Sequence, residues 1–159
     1  AAFRAVAEAC GARVAHVKPH GALYNAAAKD RALARAIATG TARVAPGAVL
    51  VGLAGSEMLA AFAEAGFAVA GEAFADRGYE PDGALTPRGR PGALKESAEE
   101  AVAQALAIAL RGEVVSVAGS RVAVDAKTIC LHSDTPGAAA FARAVAARLR
   151  ESGVALRPL

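Results

Sequence analysis

The stretch HVKPHGALYN, residues 16–25, marks the point where a strand gives way to a helix. Residues 12–17 are apolar at alternate positions and rich in valine, which predicts a short buried strand. Residues 22–29 read as the first turns of a helix. Between them lie Lys18, Pro19, His20 and Gly21. Pro19 holds Lys18 in an extended conformation and Gly21 permits a sharp bend. His16, Lys18 and His20 therefore share one parity and project to one side as the strand ends. A lysine and a histidine at the carboxyl end of an α/β strand occupy the position where such folds place catalytic groups. The plainer alternative is a polar loop that caps the next helix.

The 159 residues give room for one domain with a real core. The hydrophobic fraction of 55% is mostly alanine and aromatics are only 4%, a composition suited to close helix-on-sheet packing. Net charge is +3, but the 18 basic residues are scattered and no basic stripe carries interleaved aromatics. Nucleic acid is therefore not expected as a partner. No apolar run reaches the roughly 18 residues of a membrane span and no stretch reads as a signal peptide, so neither a membrane nor export is expected. Cys10 and Cys130 are far apart in apolar settings, and they read as free core thiols of a cytoplasmic protein. The chain starts without a methionine or a helix cap. Phe3, Val6, Ala7 and Cys10 already follow helical spacing, which suggests a piece of something longer.

Along the chain, Gly11 closes the first helix as a C′ residue. Asp30 caps a helix over residues 31–39, closed by Gly40. Residues 48–53 (AVLVGL) form a continuous apolar strand, as in a parallel sheet covered on both faces. Ser56 opens a helix over 57–65, stopped by Gly66, and residues 67–70 form another buried strand. Residues 71–79 then lead into an irregular loop over 80–94, where prolines and glycines recur at turn spacing. Ser97 and Glu100 make a capping box for a helix over 98–110. Residues 113–117 and 121–124 read as a hairpin, and 127–131 as a strand ending in His132-Ser133-Asp134. Thr135 as N-cap and Pro136 at N1 launch the last helix, terminated by Gly153. Strands alternating with helices indicate a parallel α/β sheet or barrel. The charged residues gather where strands end: Lys18 and His20, Ser56 and Glu57, Glu72 to Arg77, His132 and Asp134.

Each of these groups has a plain reading beside a chemical one. His16 and His20 have the spacing of a helical zinc pair, but Pro19 and the strand deny them a helix. His132 and Asp134 form either a base with its orienting carboxylate, two metal ligands, or a loop hydrogen bond plus helix cap. Asp76 and Arg77 read equally as a surface ion pair of little worth. Arg88 and Arg90 in a Gly/Pro loop suit a carboxylate or phosphate, or simply solvent. The phosphate-loop, dinucleotide, nucleophile-elbow and C-x-x-C motifs are absent. Gly55-Ser56 at a helix start is a weak anion signal. The residues alone thus lead to an α/β enzyme with a Lys/His/Asp/Arg site for a small polar, anionic substrate.

Four blocks add a resemblance that spans essentially the whole chain. VKPHGALYN (17–25), Glu72-x-Phe74-Ala75-Asp76-Arg77-x-Tyr79, Leu85-x-Pro87-Arg88 with Pro91-Gly92-Ala93, and TICLHSDTPGA (128–138) resemble the LamB/YcsF family, the A subunit of the bacterial ATP-dependent 5-oxoprolinase. Two departures stand out. The family's N-terminal section has no counterpart here, and Ser133 stands where the family usually has glycine. The resemblance implies an irregular (β/α) barrel of the NodB-like glycoside hydrolase/deacetylase type. Of that barrel this chain would be the C-terminal two-thirds, folded as a single domain, with the N-terminal part missing. The implied activity is the opening of 5-oxo-L-proline to L-glutamate at the expense of ATP, carried with Mg, in concert with partner B and C subunits. Self-association is compatible with it, and no protein-bound metal is expected. Lys18, His20, Asp76, Arg77, His132 and Asp134 would be catalytic. Lys18 and Arg77 would stabilise oxyanion or phosphoryl charge. His20, or His132 oriented by Asp134, would position or deprotonate water, with Asp76 sharing that duty. His16, Asn25, Glu72, Tyr79 and Arg88 would hold the substrate. Two alternatives stay open: a metal-dependent amidohydrolase or deacetylase, and a noncatalytic subunit that binds the lactam or bridges partners.

Overall fold

The structure, a computed structural model, describes residues 2–134 and 137–159. The chain divides into two compact units, one reaching to Gly71 and including Leu159, the other Glu72–Pro158.

In the first unit, helix α1 (Ala2–Ala9) precedes strand β1 (His16–Val17), then come α2 (Gly21–Ala27), α3 (Arg31–Val44), strand β2 (Val49–Leu53), α4 (Glu57–Glu64) and the start of β3 (Val69–Phe74). β1 pairs with β2 in parallel, His16 opposite Val49. On the other side of β2, the Leu50 N–H donates to the Ala68 carbonyl at 2.9 Å, leading into β3. The core is built on Leu50, Val51, Met58 and Phe62, all fully buried, with Ala27, Ala34 and Ala38 beneath the helices. Small side chains set this spacing: a Cβ at Gly52 would stand 3.1 Å from the Met58 Cε. The helix starts follow from side-chain caps. Asp30 Oδ1 accepts the Leu33 N–H at 3.0 Å and Ser56 Oγ accepts the Leu59 N–H at 3.3 Å. Arg31 ties α3 to α4 through Glu57 at 2.6 Å and through Glu64, and these contacts raise its pKa, the hydrogen bond to Glu57 most.

Four expectations are corrected in this unit. The strand expected over residues 12–17 is only His16–Val17 and is not buried: His16 is exposed and Val17 half-buried. β1 has β2 as its one strand neighbour among the described residues, so it gains no cover from a second side. Gly40 does not close its helix. α3 runs through it to Val44 and stops one residue short of Pro46, the residue that cannot continue a helix. The strand expected to end at residue 70 continues to Phe74, because its far half finds a partner elsewhere in the chain. Lastly, the apolar stripe of α1 is open, with Phe3 75% and Val6 63% exposed, and Cys10 is exposed rather than a core thiol. Helical spacing shows which residues share a face, not what covers it.

In the second unit, the end of β3 pairs in parallel with β6 (Thr128–Cys130), Glu72 opposite Thr128 and Phe74 opposite Cys130. Helices α5 (Ala98–Arg111) and α6 (Ala138–Glu151) pack through Ala101, Ala105, Val145 and Leu149, with Ala75 in the same cluster. Ser97 and Glu100 form the expected capping box at the start of α5. β4 (Glu113–Val115) and β5 (Arg121–Ala123) form the expected hairpin. Thr135 and Pro136, expected to launch the last helix, lie outside the described residues. Among those described, no helix is long and apolar enough to cross a membrane.

The segment between β3 and α5 is irregular but closely held. Arg77 bridges to Leu94 and Tyr79 to Leu85. The Gly78 N–H donates to the Ala93 carbonyl at 2.9 Å, and the Thr86 N–H to the Gly78 carbonyl at 3.0 Å. A Cβ at Gly78 would run into the Gly92 carbonyl oxygen and crowd the Thr86 hydroxyl. Gly78→Ala should accordingly destabilise the fold by about 1–3 kcal/mol, the usual range for overpacking, as read by chemical denaturation.

Candidate active site

Two residues beyond the paired Phe74 and Cys130, their strands deliver Asp76 and His132. Parallel strands in register, each continued by two residues on the same parity, bring those side chains together. The Asp76 Oδ2 accepts the His132 backbone N–H at 2.7 Å and faces its Nδ1 at 3.0 Å; Oδ1 lies 3.2 Å from the same nitrogen. Asp76 is 1% exposed, whereas the His132 side chain is 21% exposed. A carboxylate can only accept, so Nδ1 carries a proton, and in the neutral ring Nε2 holds the lone pair. The imidazole also stacks on Phe74, with centroids 5.4 Å apart and planes within 17°. A neutral imidazole oriented by a buried carboxylate, with its other nitrogen unprotonated, is the arrangement of a general base.

The Asp76 loop is held by side chains from three directions. Gln104, buried on α5, donates through Nε2 to the Phe74 and Arg77 carbonyls at 2.7 Å each and approaches that of Ala75 at 3.3 Å. The Arg77 guanidinium donates to the Ala93 carbonyl at 3.1 Å and to the Thr86 carbonyl at 2.6 Å. The Tyr79 hydroxyl accepts the Phe74 N–H at 2.7 Å, and burial pushes its pKa well above the ordinary tyrosine value. Burial first, and repulsion from Arg88 second, lower the pKa of Arg77. As an arginine it still stays cationic at any working pH.

The second unit carries Asp76, Arg77, Tyr79, Arg88, His132 and Asp134, and two readings change. The partner of His132 is Asp76, not Asp134. Asp134 instead pairs with Arg88, its Oδ2 2.9 Å from Nη1. Asp76 and Arg77 are not a surface ion pair: both are buried, the one on His132 and the other on loop carbonyls. Glu72, within β3, is 3% exposed. Arg90 pairs with Glu80 at 3.2 Å. The first unit carries the other candidates. His16 and His20 are exposed, and Lys18 is half-buried with its Nζ 5.6 Å from the centre of the Tyr24 ring. Asn25 donates to the Gly21 carbonyl at 3.3 Å. Among the described residues, no three or more His, Cys, Asp or Glu side chains are grouped as metal ligands.

Gln104 escaped the sequence reading although a signal was present. It stands in line with Ala101, Ala105 and Ile108 on the buried face of α5, where an amide needs internal partners.

The LamB/YcsF family model matches residues 1–159. The chain belongs to the LamB/YcsF family. It is 51% identical over 158 residues to the 5-oxoprolinase A subunit of Methylococcus capsulatus, covering 99% of this chain and 61% of that protein. It is 49% identical over 157 residues to the protein of the same name from Streptomyces griseus, covering 98% of this chain and 62% of the relative. Among solved structures, the lactam utilization protein from Thermus thermophilus matches with a TM-score of 0.89 at 42% identity, over 98% of this chain and 62% of that one. This LamB/YcsF chain therefore spans about three-fifths of the length of these relatives.

The contact between Arg88 and Asp134 carries a prediction of its own. Its hydrogen bond to Arg88 holds the Asp134 carboxyl below the usual carboxylate range. The ion pair is complete above the ordinary value of ~3.9 and is lost as pH falls through the depressed folded-state value. In Arg88→Ala, a carboxyl-carbon NMR titration should show Asp134 moving back up toward ~3.9.

Proposed function

We propose that this LamB/YcsF chain supplies catalytic groups to the A subunit of an ATP-dependent 5-oxoprolinase, which opens the lactam of 5-oxo-L-proline to give L-glutamate. The single observation that carries the reading is the Asp76–His132 pair, with Nδ1 on a buried carboxylate and Nε2 left as a base. The names of its relatives, which speak of 5-oxoprolinase and of lactam utilization, support the substrate class. That the curated relatives are named as one lettered subunit also supports an assembly, which we take to include B and C subunits, in the cytoplasm. We take the fold to be part of an irregular NodB-like (β/α) barrel.

The chemistry explains why ATP is needed. A lactam shares the resonance of the peptide bond, so its carbonyl carbon is a poor electrophile. Attack of the lactam oxygen on the γ-phosphorus forms an O–P bond and expels ADP, leaving the ring carbon activated. His132 Nε2 takes a proton from water as the water oxygen bonds to that carbon. The ring C–N bond then breaks with its electron pair on nitrogen, which takes up a proton. A second water cleaves the resulting acyl phosphate to glutamate and inorganic phosphate. Mg2+ enters with the nucleotide, bound chiefly by its phosphates. Arg88, released from Asp134, suits the substrate carboxylate. Arg77 and Tyr79 serve the loop rather than the substrate. Lys18 is assigned to phosphoryl or oxyanion charge, and His16, His20 and Asn25 to the substrate.

The test is ATP-coupled glutamate release by the full-length protein with its partner subunits. His132→Gln and Asp76→Asn should each lower kcat by about 10²–10⁴-fold, the range of general base catalysis, with folding retained. Lys18→Ala and His20→Ala should each cut turnover more than tenfold. Unchanged turnover in both His132→Gln and Asp76→Asn would overturn the reading and leave a noncatalytic lactam-binding chain. Glutamate release that needs a protein-bound metal but no ATP would replace it with an amidohydrolase.

A further inference from the structure

We infer that Gln104 is a positioning residue for the Asp76–His132 pair, acting through the backbone of the loop that carries Asp76. The inference rests on the general-base reading of His132 for its catalytic consequence, but not for its structural content.

Past the end of β3, side chains take over as partners of the backbone. The Ala75 N–H still reaches the Cys130 carbonyl at 3.0 Å, but the chain then turns away from the sheet. The Phe74 and Arg77 carbonyls flank Asp76 on either side in sequence, and both point at one amide nitrogen 2.7 Å away. An amide NH2 has two hydrogens, so these two short bonds use its whole donor capacity. The Asp76 carbonyl is met separately by the Lys95 N–H at 3.0 Å. Asp76 is thus suspended between two fixed carbonyls, both gripped by a side chain from the middle of α5.

Arg77 and Tyr79 hold the loop further along the chain, while Gln104 grips it on both sides of Asp76. The carboxylate bonds of Asp76 are made to His132, the residue it must itself orient. Side-chain and loop position are therefore coupled. If the two carbonyls lose their donor, they must turn toward other partners, and the Cα of Asp76 turns with them. The imidazole then loses the acceptor that keeps its proton on Nδ1, and Nε2 is no longer reserved as the base. A buried glutamine offers no lone charge and no nucleophile, and it does not touch His132 in this network. Its effect on the reaction is through geometry alone.

The experiment uses Gln104→Met, which keeps length and packing but removes both donors, in the intact protein with its partners. The decisive readout is the His132 tautomer, from the 15N shifts of its ring nitrogens above the pH at which it is neutral. Wild type should show the proton on Nδ1. Gln104→Met should show at least half of it moved to Nε2, with kcat lowered tenfold or more and KM changed less than threefold. A folded Gln104→Met with the proton still on Nδ1 overturns the inference, whatever its activity. Should that variant not fold, Gln104→Glu serves. Ionised or neutral, its carboxyl offers at most one O–H to the same carbonyls, so the same tautomer shift is expected and its absence is equally decisive. The catalytic reading fails separately, through a fully active His132→Gln, and the tautomer measurement is independent of that result.

Discussion

A carboxylate buried at Asp76 is the constraint around which the second unit is arranged. Removing such a group from water costs several kcal/mol unless charge or hydrogen bonds replace the lost hydration. Here the replacement is His132, which answers Asp76 through both its backbone N–H and its ring. That solution works only if the loop bearing Asp76 is immobile. The loop in turn leaves the sheet, and its carbonyls turn to side-chain donors. Gln104, Arg77 and Tyr79 hold the loop, each by satisfying backbone groups rather than by facing solvent. Even the absence of a side chain contributes, since only glycine at position 78 lets the chain pass against the Gly92 carbonyl.

Such an arrangement reassigns several charged and polar residues of the family-like blocks. In the sequence Arg77 reads as a cation for oxyanion or phosphoryl charge and Tyr79 as a substrate ligand. In three dimensions their polar atoms lie on the loop's own backbone. A cation whose donors reach the Thr86 and Ala93 carbonyls fixes the loop that carries Asp76 without touching a substrate. The first unit rests on different physics. Its core is alanine, leucine, valine, methionine and phenylalanine at close quarters, while its ion pairs among Arg31, Arg35, Glu57 and Glu64 lie on the surface and add little stability.

Local signals in the sequence were reliable where the physics is local. Asp30, Ser56 and Ser97 with Glu100 cap the helices they were expected to cap, since a capping oxygen needs only an N–H three residues away. Gly11 and Gly66 adopt the positive φ that ends a helix. The alternation of helices with parallel strands also holds. Gly40 is a local miss, since α3 runs on to the break before Pro46; the other misses each depend on something distant in the chain. The length of β3 came from β6, the exposure of β1 from its one neighbour among the described residues, and the openness of α1 from what does not lie over Phe3 and Val6.

The choice of partner for His132 shows the same division. By sequence alone the chain determined its α/β class, its family, the caps at Asp30, Ser56 and Ser97, and the membership of Asp76 and His132 in short motifs at strand ends. Asp134 was the nearer carboxylate along the chain and so the natural candidate for pairing. Only the tertiary structure decided for Asp76, 56 residues away, because the register of two parallel strands sets which side chains meet beyond their ends. That register comes from hydrogen bonds between segments, and no spacing within either segment encodes it.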